Sequence, residues 1–135
     1  MFGSPRSPAA AYASVGLETS VPTADPHKLI LLLFEGAKVA ISTAKLQMAQ
    51  GNIPEKGRLI SNAIDIITNG LRASLDFEAG GDLSEKLAAL YDYMVQRLLW
   101  ANLKNDPAAL DEVMRLLGEL HGAWVQIAPT NEQAA

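Results

Sequence analysis

Four amphipathic helices folded into an antiparallel up-down-up-down four-helix bundle, behind a flexible N-terminal arm, make up the all-α architecture that this sequence predicts. Three observations carry it. Apolar residues recur at three-and-four spacing from Leu29 to Ile127, with no strand-like alternation and no repeat of fixed period. Asp followed by Pro opens two of the periodic stretches, at Asp25 and at Asp106; the carboxylate can cap a helix there, and proline loses nothing at the first helical position. The breaks at Gly51 and Asn52, at Gly80 and Gly81, and before Asp106 span only a few residues, so sequential helices must lie adjacent and antiparallel.

Residues 1–24 are rich in Ala, Ser and Pro with Tyr12, Val15, Leu17 and Val21 spaced among them, which predicts a mobile arm with a few anchors. The bundle domain is expected over 25–128 and a frayed, disordered tail over 129–135. The first helix runs through Leu29, Ile30, Leu33, Ala37, Ala40, Ile41, Ala44 and Met48 to Gly51. The second restarts at Ile53 and Pro54 and is expected to continue to Ala79, Gly80 and Gly81, residues that tolerate left-handed backbone. It carries two apolar stripes: Ile60, Ile64, Ile67, Leu71 and Leu75, and beside them Leu59, Ala63, Ile66, Ala73 and Phe77. One stripe about 100° wide suffices to reach a small core, so the second must also be covered, by a neighbouring helix, a terminal arm, a second subunit or a separate protein. Asp82 with Glu85 predicts a capping box for the third helix, whose stripe is Leu83, Leu87, Leu90 or Tyr91, Met94, Leu98 and Ala101. The fourth shows Leu110, Val113, Leu117, Leu120, Trp124 and Ile127.

Composition narrows the function. The chain of 135 residues suits one domain. Hydrophobic residues make up 49%, and ten glycines raise the apolar share to roughly 56%, above the usual ~45 to 50%. The net charge of −4 and the eleven Lys and Arg, scattered singly, leave no basic stripe for nucleic acid or an anionic bilayer. Zero cysteines exclude disulfides, thiolate metal sites and a cysteine nucleophile. The apolar run Leu29 to Phe34 is far shorter than the ~20 residues a membrane span needs, and the start lacks the apolar core of a signal peptide. A soluble cytoplasmic protein without membrane insertion is expected.

Catalytic signatures are absent. A di-iron bundle needs Glu-x-x-His pairs on facing helices, and this chain has none; His27 and His121 stand alone, His121 expected to be partly buried and His27 solvated. No glycine pattern forms a phosphate cradle. No metal, cofactor or enzymatic activity is expected. Binding fits better. Leu29 to Phe34 covers every direction around its helix, so part of it must meet something besides one core. Tyr91 and Tyr93 point about 200° apart, so at least one leaves the core. Trp100 divides evenly between partner contact and edge-of-core packing. Gly118 and Gly122 share a face, where close packing within the bundle is the favoured reading; Gly70 leaves either a notch for a partner or a tight crossing with the first helix.

The run Asn69, Gly70, Leu71, Arg72, Ala73, Ser74, Leu75, Asp76, followed by Leu90, Tyr91, Asp92, Tyr93, Met94, Arg97, Leu98, Leu99, Ala101 and Asn102, resembles the FliS family of flagellin-specific export chaperones. Ala11 and Tyr12, the segment Pro26 to Ala37, and Ala123 with Trp124 extend the resemblance over about residues 11–127. It implies a cytoplasmic bundle that holds the disordered C-terminal segment of flagellin as short helices, with the flagellar export gate as a second partner. The client would dock against Leu29, Ile30, Leu33, Phe34, Ile66, Leu71, Leu75, Tyr91 and Met94, while Tyr12, Val15 and Leu17 match the place of an arm that plugs this surface. A structural homodimer that buries the extra stripe by self-association is the alternative.

Overall fold

The computed structural model describes residues 25–127; the predicted arm with Tyr12, Val15 and Leu17, and the predicted tail over 129–135, lie outside the described residues. Four helices form: α1 (Pro26–Ala49), α2 (Ile53–Asp65), α3 (Phe77–Lys104) and α4 (Pro107–Gln126). No strand occurs among the described residues. The caps are those the sequence signals. Asp25 accepts from the Lys28 amide at 3.2 Å, and Asp106 from the Ala108 amide at 3.0 Å, each with proline directly after it. Gly51 (φ 77°) and Asn105 (φ 51°) take the left-handed conformation that turns the chain after α1 and α3.

Each helix packs on its chain neighbours and α1 also packs on α4, whereas no close backbone approach crosses the diagonals α1–α3 or α2–α4. Side-chain pairs fix the directions. Lys45 near the end of α1 meets Asp111 near the start of α4, and His27 at the start of α1 meets Trp124 at the end of α4. Lys56 of early α2 reaches Asn102 of late α3, and Arg97 of late α3 reaches Glu112 of early α4. Every neighbouring pair so documented is antiparallel. The core runs the length of the bundle, with Ile41, Ile60, Ile67, Met94, Leu98, Leu110, Val113 and Leu117 fully enclosed.

The structure corrects the extent of the second helix and decides what covers its extra stripe. The helix does not continue to Ala79. After Asp65 the backbone widens into a π-helical turn, Ile66–Leu71, then tightens into a 3-10 turn, Arg72–Ser74, and Leu75 is extended. The Ser74 hydroxyl donates to the Gly70 carbonyl at 2.6 Å, giving a partner to an acceptor left behind by the change of pitch. Asp76 then caps α3 by accepting from the Glu78 and Ala79 amides, so the cap lies six residues before the predicted Asp82, and Gly81 (φ 53°, ψ −126°) is a kink inside α3. The extra stripe is covered by neighbouring helices, one of the four covers open to it. Leu59, Ala63 and Ile66 are as buried as Ile60, Ile67 and Leu71, and only Ala73 and Phe77, past the break, are exposed. At about 100° per residue the two stripes, as far as Leu71, span an arc of roughly 160°, and α2 is flanked by α1 on one side and α3 on the other.

A candidate partner-binding surface

Three glycines show which seams are closed. A Cβ on Gly70 would lie 3.1 and 3.2 Å from the two terminal carbons of Leu33, so this glycine permits a tight α1–α2 crossing, and the partner notch is not there. Gly118 and Gly122 are the reverse: apart from their own helix's backbone, no described atom lies within 4 Å of a Cβ on either, so neither serves a close packing among the described helices, which corrects the favoured reading. Both sit on the outside of α4.

Of the residues the sequence nominates for partner contact, Leu29, Leu33, Phe34, Ile66, Leu71, Tyr91 and Met94 are buried, and Ile30 and Leu75 are half-buried at the edge of the core. Burial pushes the Tyr91 hydroxyl up to about 12, so it stays neutral. Tyr93 is the tyrosine that leaves the core, as the 200° separation requires, and donates to Glu112, which Arg97 also holds at 2.7 Å. Those two bonds draw the Glu112 carboxyl below its usual range, the Tyr93 bond first.

Apolar surface is nevertheless displayed, in part by residues that the sequence reading does not nominate for partner contact. Leu99 and Leu103, one helical turn apart on α3, are 54% and 75% exposed, and Trp100 beside them donates to Asp106 while Lys104 lies 5.4 Å over its ring. Leu46 at the end of α1 and Ile53 at the start of α2 are exposed at this same end of the bundle. Phe77, Leu83, Val125 and Ile127 are exposed at the other end, and Val39 on the outside of α1. The signal was present: Leu99 and Leu103 sit outside the stripe through Met94, Leu98 and Ala101, at the i, i+4 spacing of a second face.

The polar features hold the scaffold. His27 is not simply solvated: its Nε2 donates to the Trp124 carbonyl at 2.9 Å, Trp124 Nε1 donates to the His27 carbonyl at 3.0 Å, and the rings stack at 5.1 Å. His121 stacks on Phe34 at 5.5 Å, and its Nδ1 accepts from the Lys38 ammonium at 3.2 Å. Desolvation first and Lys38 second push its pKa down, so it is neutral near pH 7. Buried Lys56 donates to both the carbonyl and the side-chain oxygen of Asn102, capping the end of α3. Among the described residues no group of His, Asp or Glu is placed to hold a metal ion, and no helix is long and apolar enough to cross a membrane.

Comparison with known proteins decides the family. The family described as Flagellar protein FliS matches residues 8–131. This chain belongs to the FliS family. It is 50% identical over 119 residues to the flagellar secretion chaperone FliS of Salmonella typhimurium, covering 88% of each chain. The flagellar secretion chaperone FliS of Vibrio cholerae is 43% identical, covering 88% of this chain and 87% of the relative. The FliS of Bacillus subtilis is 32% identical over 81% of this chain and 80% of its own. The relatives are named as chaperones, and the four helices described for this chain are the architecture the periodicity predicts.

Proposed function

We propose that this FliS-family protein is a cytoplasmic export chaperone that binds the disordered C-terminal segment of flagellin, prevents its premature polymerisation and delivers it to the flagellar export apparatus. The observation that carries the reading is the 50% identity to a flagellar secretion chaperone across nearly the whole of both chains. Exposed apolar side chains on a rigid bundle supply the physical means. Amphipathic segments of an unassembled filament protein are prone to associate, and a chaperone that covers them removes that hazard.

The client docks as amphipathic turns laid against the bundle, burying side chains at i, i+3, i+4 and i+7. Ile30 and Leu75 are the nominated residues it reaches directly, with Leu99 and Leu103 as added contacts. Leu29, Leu33, Phe34, Ile66, Leu71, Tyr91 and Met94 form the floor beneath. No nucleotide is needed: ordering the segment offsets much of the contact gain, which leaves a complex that the export gate can dissociate. The test is co-purification with full-length flagellin and with flagellin lacking its C-terminal segment. Loss of binding on deletion supports the reading; binding that survives it refutes the proposed client site. Light scattering addresses the homodimer alternative, since a dimer that persists unchanged when flagellin is added leaves no free surface.

A further inference from the structure

The two ends of α4 are held very differently. Its first half contributes Ala109, Leu110, Val113 and Leu117, all fully enclosed in the core. Beyond Leu117 no residue of α4 is buried; Leu120, His121 and Trp124 are half-buried at the rim. The same stretch carries Gly118 and Gly122, each costing a helix up to about 1 kcal/mol against alanine. No packing demand from the described helices explains them, since apart from their own helix's backbone no described atom would meet a Cβ at either position. What fastens this stretch to α1 is a pair of side-chain clasps, Phe34 and Lys38 on His121 and the reciprocal His27–Trp124 pair. Weak helix propensity, absent deep burial and two polar clasps are the marks of a segment that opens locally below the global unfolding free energy.

We propose that Gly118–Gln126 is a strap that detaches from α1 while the rest of the bundle stays folded. Its opening bares Phe34, which the His121 ring covers, and with it the first turns of α1, where the apolar run Leu29 to Phe34 surrounds the helix. The strap thereby controls access to α1 for the flagellin segment, a role that rests on the chaperone reading; the opening itself does not. Gly118 and Gly122 are in this view kept as glycine to hold the strap loose.

Amide hydrogen exchange on the full chain, without client, tests the opening. Protection factors over 118–126 are expected to fall at least about tenfold below those over 109–117 of the same helix; equal protection along α4 overturns the strap. Gly118→Ala with Gly122→Ala adds only helix propensity in open space and is expected to raise protection of 118–126 about tenfold, with 109–117 changed far less. Unchanged protection of 118–126 overturns it. The access role is read from the association rate of a peptide of the flagellin C-terminal segment. The double variant is expected to bind about tenfold more slowly, and an unchanged rate overturns the gating. Absence of any peptide binding to the wild-type chain would strike the chaperone reading, while the exchange measurement still judges the strap.

Discussion

Gly36 and Gly70 face each other's helices across the α1–α2 seam, and the same substitution at each is expected to move stability in opposite directions. A Cβ at Gly36 would rest 3.6 Å from Ile66 Cδ1, an ordinary van der Waals contact. Gly36→Ala therefore gains helix propensity, about 0.5 to 1 kcal/mol, and fills space without strain. A Cβ at Gly70 would press on Leu33, with Cδ2 at 3.1 Å, Cδ1 at 3.2 Å and Cγ at 3.7 Å. Both branches of the leucine face the intruder, so a rotamer change cannot withdraw them together, and Leu33 is only 2% exposed. Overpacking a closed core costs about 1 to 3 kcal/mol, which exceeds the propensity gain and leaves a net loss on the order of 1 kcal/mol. Urea unfolding followed by far-ultraviolet circular dichroism should raise the midpoint for Gly36→Ala and lower it for Gly70→Ala, with thermal midpoints moving about 4 °C either way. Leu33→Val placed on top of Gly70→Ala should cost less than it does alone, because the two sites share one contact. A Gly70→Ala protein as stable as Gly36→Ala would refute the tight crossing and restore a notch at this position.

Four further outcomes follow from particular contacts. His121 is neutral and held below its ordinary pKa by burial and by Lys38, with Glu35 opposing, so the unfolded chain takes up its proton first as pH falls; stability should decline as pH drops below about 6.5, and His121→Gln should remove that part of the decline in pH-dependent urea melts. Trp124→Phe keeps the stacking on His27 but deletes the indole donor to the His27 carbonyl, a loss of about 1 kcal/mol readable as a lower urea midpoint. Lys56→Met keeps the buried stem but strips Asn102 of two donors, a loss of about 1 to 2 kcal/mol, detectable as faster amide exchange at the end of α3. Leu99→Glu with Leu103→Glu should weaken flagellin binding in calorimetry with the thermal midpoint nearly unchanged, whereas a charge at buried Leu71 or Tyr91 should unfold the bundle and report nothing about binding.

How far the sequence reached depends on the length scale of each signal. Helix identity and the caps at Asp25 and Asp106 are set by residues within one turn of one another, so they are legible in a linear pattern and the bundle reproduces them. The end of α2 is not legible in the same way: Gly80 and Gly81 resemble a stop more than Leu75 and Asp76 do, whereas the helix changes pitch at Ile66–Leu71, where Gly70 lies against Leu33 from a helix distant in sequence. The burial of most of the nominated surface residues has a related cause. A stripe shows that a face is apolar, but how wide a face the fold can hide depends on how many neighbours a helix has. In a square bundle each helix has two, and α2 accordingly buries both stripes as far as Leu71, taking Ile66 and Leu71 out of reach. Apolar area left over must then lie where neighbours run out, on the outward turns and at the ends of helices. Leu46, Ile53, Leu99 and Leu103 at one end, and Phe77, Leu83, Val125 and Ile127 at the other, occupy those places. A client that covers both sets has to span the bundle from end to end, about 30 Å along α4, which an extended, unstructured segment of about ten residues can do.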